Sequence, residues 1–189
     1  MCHFVTATLP ANAKLDSLRL IARDHALALT EVHNPHVASQ LQPGELYYLT
    51  TLGSCDCGTV LGSQLRLDRR SHAKEPNERE IAALRRRGWS ETKIERWLLQ
   101  HSLTTARDTR GQRVHAEGRA LEAGSWQQFL NEVLASGGTA FVGLLLHWYH
   151  GSIDGERIQI RQRRVIRQTD TTPDLLMHLP EDELYVFTP

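Results

Sequence analysis

The sequence lacks an apolar run long enough to cross a bilayer. A membrane-spanning helix needs about 20 consecutive apolar residues, and the nearest approach is the short stretch 140–149. The chain also begins without the basic segment, apolar core and small-residue cleavage site of a secretory signal. Both absences predict a cytoplasmic protein, in which cysteines stay reduced and serve as ligands, reactive groups or small buried side chains.

Net charge is absent as well, because 22 basic residues balance 22 acidic ones. Dedicated binders of nucleic acid or membrane surfaces usually carry a basic excess, so the balance argues against both and leaves room only for local patches. Lysine is scarce: the sequence has only Lys14, Lys74 and Lys93, and arginine supplies the remaining basic side chains. Clustered arginines favour bidentate contacts with carboxylates or phosphates.

The familiar catalytic signatures are missing too. The chain has no phosphate-binding loop, no Gly-x-Ser-x-Gly, no His-Glu-x-x-His and no dinucleotide-binding fingerprint. These absences lower the expectation of an enzyme. They favour a protein that binds or regulates another molecule.

The periodicity that is present predicts an α+β fold, built as one domain over residues 1–189. Residues 3–9, 27–32 and 45–51 have the β-branched and aromatic content of strands, and a helical pattern separates the first two. This β-α-β-β order predicts a ferredoxin-like start in which the first strand pairs antiparallel with the third. The expected sheet is antiparallel or mixed, with helices packed mainly on one face.

The rest of the chain predicts a helical insertion at residues 76–101 and a polar loop at 103–118, which is rich in Thr, Arg and Gly. A helix over 125–135 follows, with Ser125 as its expected cap. The apolar stretch 139–149 and residues 156–167, joined by a turn, predict a C-terminal β-hairpin.

All three cysteines lie in two short clusters, at the start of the chain and about fifty residues later. Antiparallel pairing of the first and third strands would place the start of one beside the end of the other, and so bring the clusters together. Three thiolates and an imidazole match a tetrahedral zinc site formed by Cys2, His3, Cys55 and Cys57. Zinc is the candidate cofactor, although Cys-x-Cys is less typical of structural zinc than Cys-x₂-Cys.

Three other interpretations of these residues stay open. His72 or His115 would replace His3 as the fourth ligand. Loss of Met1 would leave Cys2 with a free α-amino group beside its thiol, and Cys2 would then be the catalytic residue of a cysteine-dependent hydrolase. The chain resembles N-terminal nucleophile amidohydrolases in that Met-Cys start alone. The plainest interpretation is that the cysteines are small buried residues and that residues 55–58 form a tight turn.

Arginines recur along the predicted strand 156–167. Four of them fall on one face, namely Arg157, Arg161, Arg163 and Arg167. Such a face repels itself unless it meets carboxylates, phosphates or water, and the acidic segment 170–189 is its expected internal partner. If the face meets another protein instead, the chain is a charge-complementary regulatory protein, for example an immunity-type inhibitor of a bacterial toxin. This is the first expectation of function, and a metal- or thiol-dependent protein is the alternative.

Residues 81–98 have the pattern of a helix-turn-helix, with Gly88 in the turn and Ser90 opening the second helix. Glu91 and Glu95 on that second helix would face phosphates unfavourably. Binding of duplex DNA is therefore a second alternative rather than the leading expectation.

Overall fold

A computed structural model describes the backbone of residues 2–74 and 78–189, and the side chains of these residues except 69–74 and 100–117. The chain divides into two compact units. Unit 1 comprises Met1–Leu65 and Leu121–Pro189, and unit 2 comprises Arg66–Ala120. The predicted helical insertion at 76–101 lies among the residues of unit 2.

The described residues form six strands, six α-helices and one short 3-10 helix, which confirms the α+β class. The strands are β1 (Cys2–Pro10), β2 (Thr30–Glu31), β3 (Glu45–Leu49), β4 (Val142–Tyr149), β5 (Gln162–Arg167) and β6 (Glu183–Thr188). The helices are α1 (Leu15–Asp24), α2 (Pro35–Ala38), α3 (Ser63–Lys74), α4 (Glu78–Arg86), α5 (Glu91–Ala135) and α6 (Pro173–Met177), with the 3-10 helix at Gln168–Asp170.

Unit 1 is built on one mixed sheet with the strand order β2-β3-β1-β4-β6-β5. The predicted antiparallel pairing of the first and third strands is confirmed, with Thr6 of β1 opposite Leu49 of β3. On its other edge β1 pairs antiparallel with β4, where Cys2 lies opposite Tyr149. The beginning of β1 thus lies in the middle of the sheet, and the end of the neighbouring strand β3 lies beside it.

The predicted C-terminal hairpin is wrong. β6 lies between β4 and β5, pairing antiparallel with β4 and parallel with β5. The residues of β6 from Leu184 to Phe187 are buried, as a central position requires, whereas every residue of β5 is exposed or only partly buried. The arginine-rich strand therefore takes the edge of the sheet, where charged side chains reach solvent.

The period-two pattern of the strands sorts their side chains into two apolar clusters. One cluster joins Val5 and Ala7 of β1 to Leu18 of α1 and to Phe129 and Val133 of α5. The other cluster contains Tyr47, Leu145, Tyr149, Leu184 and Val186 from the strands, with Val37 and Ile158. Both faces of the sheet are therefore buried near its centre, which accounts for the unbroken apolar run in β4.

The polar loop predicted at 103–118 is wrong, because these residues are helical and belong to α5. Glycine lowers helix stability by about 1 kcal/mol relative to alanine, but the alanines and arginines of this segment are good helix formers. The separate helix predicted at 125–135 is the end of the same α5. Ser125 does not cap it: its hydroxyl donates to the carbonyl of Leu121 at 3.3 Å, one turn earlier.

Unit 2 contains the helix, glycine turn and second helix that the sequence predicts over residues 81–98. Gly88 has a φ of +77°, a conformation that residues with a side chain rarely adopt. Across the turn Arg85 donates twice to the Glu91 carboxylate, at 2.7 and 3.0 Å. Ile94, only 2% exposed, anchors the beginning of α5.

Candidate metal centre

The two cysteine clusters meet, as the topology predicts. The sulfur atoms of Cys2, Cys55 and Cys57 all lie within 4.8 Å of one another. Among the described residues, this is the one group of at least three His, Cys, Asp or Glu side chains whose metal-binding atoms lie so close together. Cys2 is the first residue of β1, and the other two lie in the segment that follows β3. Cys2 and Cys55 are half-buried and Cys57 is exposed, so solvent reaches the group.

Asp56, between the two later cysteines, holds their loop against β1. Its backbone N–H donates to the carbonyl of His3 at 2.8 Å. Its Oδ2 accepts the backbone N–H of Val5 at 2.8 Å and the hydroxyl of Thr51. The carbonyl of His3 and the N–H of Val5 precede Thr6, where the pairing of β1 with β3 begins, and Asp56 supplies their hydrogen bonds instead. These bonds fix the positions of Cys55 and Cys57 relative to Cys2.

The thiols of Cys2 and Cys55 differ in pKa because of the hydrogen bonds they make within the group. The backbone N–H of Cys57, its thiol and then Cys2 and Ser54 bond to Cys55 and hold the pKa of the Cys55 thiol below its usual value. Bonds to Cys57 and Cys55 raise the pKa of Cys2, with a smaller contribution from burial. Cys55 therefore forms a thiolate more readily than Cys2, and the hydrogen bonds do not activate Cys2.

His3 does not join the sulfur atoms. Its Nε2 lies 2.9 Å from Glu181 Oε1, and its ring contacts Trp148 edge to face at a centroid distance of 4.2 Å. Neighbouring residues of a strand point to opposite faces, so His3 and Cys2 diverge. The structure thus brings together three of the four predicted ligands, while the side chains of His72 and His115 lie outside the described residues.

A pocket of about 440 Å³ adjoins the cysteine loop within unit 1. Cys55 and Asp56 line it together with His25, Ala26, Leu27, Gly58, Thr59, Glu122, Ser125 and Trp126. The walls come from the cysteine loop, the end of α1 and the last part of α5. Apart from the cysteine loop itself, sequence patterns do not single out these residues, because three distant segments contribute them.

The arginines of the C-terminal segment mostly have internal partners. Arg163 forms a bidentate pair with Glu45, at 2.5 and 2.9 Å, and the Glu45 side chain is 3% exposed. Arg161 donates to the carbonyl of Glu181 and lies 3.9 Å from Asp182 Oδ2. Arg157 and Arg167 are exposed, and Arg157 precedes β5. The expected internal pairing with residues 170–189 holds for Arg161, whereas Arg163 takes its partner from β3.

A polar group that includes His147 and Tyr149 lies on the face of the sheet opposite the apolar cluster that contains Leu18 of α1. His147 Nδ1 is 2.5 Å from Asp182 Oδ1, and the His147 ring contacts Tyr149. The hydroxyls of Tyr47 and Tyr149 are 2.9 Å apart, and burial raises the pKa of both side chains. The two tyrosine hydroxyls thus satisfy each other, whereas His147 Nε2 is buried without a hydrogen-bond partner.

The charge of the chain is unevenly divided between the units. Unit 2 has fourteen lysines and arginines against eight acidic residues, although the whole chain is balanced. The exposed residues Arg79, Arg86, Arg87 and Arg96 belong to its described part. Unit 2 therefore has a net positive charge, although the chain as a whole is neutral.

No helix in the described part of the chain combines the length and the hydropathy that a membrane span requires. Comparison of the sequence with protein-family models and curated proteins, and of the structure with solved structures, finds no match.

Proposed function

We propose that the protein binds a thiophilic metal ion, with zinc as the first candidate, through Cys2, Cys55 and Cys57. The observation that carries the proposal is the convergence of three sulfur atoms within 4.8 Å from segments about fifty residues apart. In a tetrahedral zinc site the sulfurs are about 3.8 Å apart, given a Zn–S distance of about 2.3 Å. Shifts of about 1 Å in these half-buried or exposed side chains therefore suffice.

The donor set also suits the metal. Three thiolates select zinc or copper(I) over the harder magnesium and calcium ions. Three protein ligands leave one position of a tetrahedral zinc for an exchangeable molecule, which is the pattern of catalytic rather than structural sites. The exposure of Cys57 is consistent with an accessible metal.

The first test is zinc content. We expect about one zinc per chain after anaerobic reconstitution and desalting, measured by inductively coupled plasma mass spectrometry with intact mass on the same sample. Cys57→Ser and Cys55→Ser should each weaken zinc binding at least tenfold.

His3→Gln is the matched control, because it alters the neighbouring residue of β1 and retains a group able to bond Glu181. Zinc affinity should be unchanged in this variant. A parent protein that retains no zinc, or a triple Cys→Ser variant that retains as much as the parent, would overturn the proposal.

The arginines give less support to a charge-complementary toxin inhibitor. Arg163 is committed to a carboxylate that is almost fully buried, and Arg161 contacts the chain's own residues 181 and 182. Such a function needs these guanidinium groups free to meet a partner.

A second candidate function is electrostatic binding of duplex DNA by unit 2. Its support is the local basic excess together with the α4–turn–α5 arrangement. Arg86→Glu with Arg87→Glu should weaken binding of a labelled duplex at low salt, and Arg157→Glu with Arg167→Glu in unit 1 is the control. Affinity should fall steeply with salt, because phosphate contacts release counterions. No binding at low salt would dispose of this candidate.

A further inference from the structure

The pocket beside the cysteine loop has the size and the mixed lining of a small-molecule site. Its volume of about 440 Å³ lies within the usual range of about 300–1,000 Å³ for ligand pockets. Leu27 and Trp126 supply apolar wall, and His25, Thr59 and Glu122 supply polar groups. Cys55 belongs both to this lining and to the group of three sulfur atoms.

The end of α1 forms one wall, and its backbone is held in place. Ala26 has a φ of +55°, which costs a residue with a side chain about 1–2 kcal/mol. The backbone N–H of Leu27 donates to Ala22 at 2.7 Å and that of Ala28 to Thr50 at 2.8 Å, so the strained turn is fixed on both sides. Together with the bond from the backbone N–H of Ala26 to the carbonyl of Arg23, the bond from Leu27 to Ala22 is the Schellman pattern of a helix end, which fixes this wall of the pocket.

The remaining walls are also anchored. His25 Nε2 lies 3.0 Å from Glu132 Oε2, which orients its ring. Glu122 Oε1 accepts the backbone N–H of Val60 at 3.3 Å, and the Trp126 ring packs edge to face on Phe129. The pocket is therefore formed before any ligand arrives.

We infer that this pocket binds a small aminothiol, whose sulfur becomes the fourth ligand of the metal and whose ammonium group lies near Glu122. The inference rests on the proposed metal site. A fourth thiolate matches the preference of a three-sulfur site for soft donors. On binding, the metal–sulfur bond replaces a metal–water bond, the water leaves, and the thiol proton passes to solvent.

The charge of the lining selects among thiols. Among the residues that the structure describes, the carboxylates of Asp56 and Glu122 line the pocket, and the basic side chain His25 already faces Glu132. An anionic thiol would meet repulsion there, whereas a cationic one would be attracted. Because Glu122 is exposed, the attraction should change affinity by only about two- to fivefold.

The test uses the full chain loaded anaerobically with cobalt(II), whose visible spectrum reports the ligands of the metal. Cysteamine, 2-mercaptoethanol, 3-mercaptopropionate and ethanolamine are titrated separately. We expect spectral changes with the three thiols, tightest for cysteamine and weakest for 3-mercaptopropionate, and none with ethanolamine. Glu122→Gln, which keeps an acceptor for Val60, should reduce the advantage of cysteamine over 2-mercaptoethanol, and an unchanged advantage would refute the role of Glu122.

Two glycines provide a matched pair of variants. A side chain at Gly58 or at Gly53 would meet no atom within 4 Å at its Cβ, but only Gly58 lines the pocket. Gly58→Leu should weaken thiol binding at least tenfold and leave cobalt binding intact, whereas Gly53→Leu should change neither. Absence of any cobalt–thiolate spectrum means that the metal site itself is wrong. Cobalt binding without a response to thiols, or an equal response in both glycine variants, overturns the aminothiol pocket alone.

Discussion

Replacement of Asp56 by alanine should damage the metal centre without removing a ligand. The Asp56 carboxylate accepts the backbone N–H of Val5 and the hydroxyl of Thr51, and both donors lose their partner in Asp56→Ala. The cysteines on either side of residue 56 then lose part of their attachment to β1. Metal binding and folding should therefore both suffer.

The magnitude follows from the two lost bonds. A hydrogen bond to a charged group contributes about 1.5–3 kcal/mol, and partial exposure of Asp56 favours the lower value. We expect Asp56→Ala to lower the free energy of unfolding of the metal-free protein by about 2–4 kcal/mol. Asp56→Asn retains an acceptor for Val5 and should cost about 1 kcal/mol. Loss of groups that orient metal ligands commonly weakens metal binding about 10–100-fold, and Asp56→Ala should fall in that range.

The assay combines urea unfolding of the metal-free protein with competition for zinc against a chromophoric chelator. Asp154→Ala, at an exposed turn of unit 1, is the control and should leave both quantities unchanged. If Asp56→Ala lowers stability but binds zinc as tightly as the parent, the loop does not need its attachment to β1 to gather the sulfurs. The positional role given to Asp56 would then be refuted.

Three further predictions concern other parts of unit 1. In metal-free protein at neutral pH, iodoacetamide should modify Cys55 faster than Cys2, as peptide mapping by mass spectrometry would show, because the pKa of Cys55 is lowered and that of Cys2 raised. Burial raises the pKa of Tyr149 in the folded protein, so the unfolded chain releases the tyrosine proton at lower pH than the folded protein does. The free energy of unfolding should therefore keep the full contribution of Tyr149 below about pH 10 and lose it above that pH. Urea unfolding measured against pH should show a shallower fall in Tyr149→Phe. Arg163→Ala leaves the buried Glu45 carboxylate unpaired and should lower the free energy of unfolding by about 3 kcal/mol in a thermal melt. Arg157→Ala, at an exposed position, should change this free energy by less than about 0.5 kcal/mol.

Sequence patterns predicted the part of the site that depends on local strands. The β-branched content of β1 and β3 identified both strands, and their antiparallel pairing brought Cys2 toward Cys55 and Cys57. His3 was assigned to the same site because it is next to Cys2 in sequence. Because side chains alternate along a strand, the His3 side chain lies on the face of the sheet opposite Cys2, where it contacts Glu181.

The errors came from pairings and helices decided over longer distances. β4 is followed by a turn, which suggested a hairpin, but the more apolar β6 competes for the same edge and takes it. In α5 the glycines and threonines suggested a loop, whereas the structure has these residues within one continuous helix. The pocket depends on three segments of the chain meeting, which no local pattern records.

The attachment of residue 2 to residues 55–57 has a consequence for any chain that is not folded. Gathering the three sulfurs from a disordered chain means closing a loop of 53 positions, which costs about 4 kcal/mol in conformational entropy. The pairing of β1 with β3 has already closed that loop in the native protein. In a nascent or denatured chain Cys55 and Cys57 are a bidentate pair without Cys2 nearby, so occupancy of the proposed metal site would report whether the sheet has assembled.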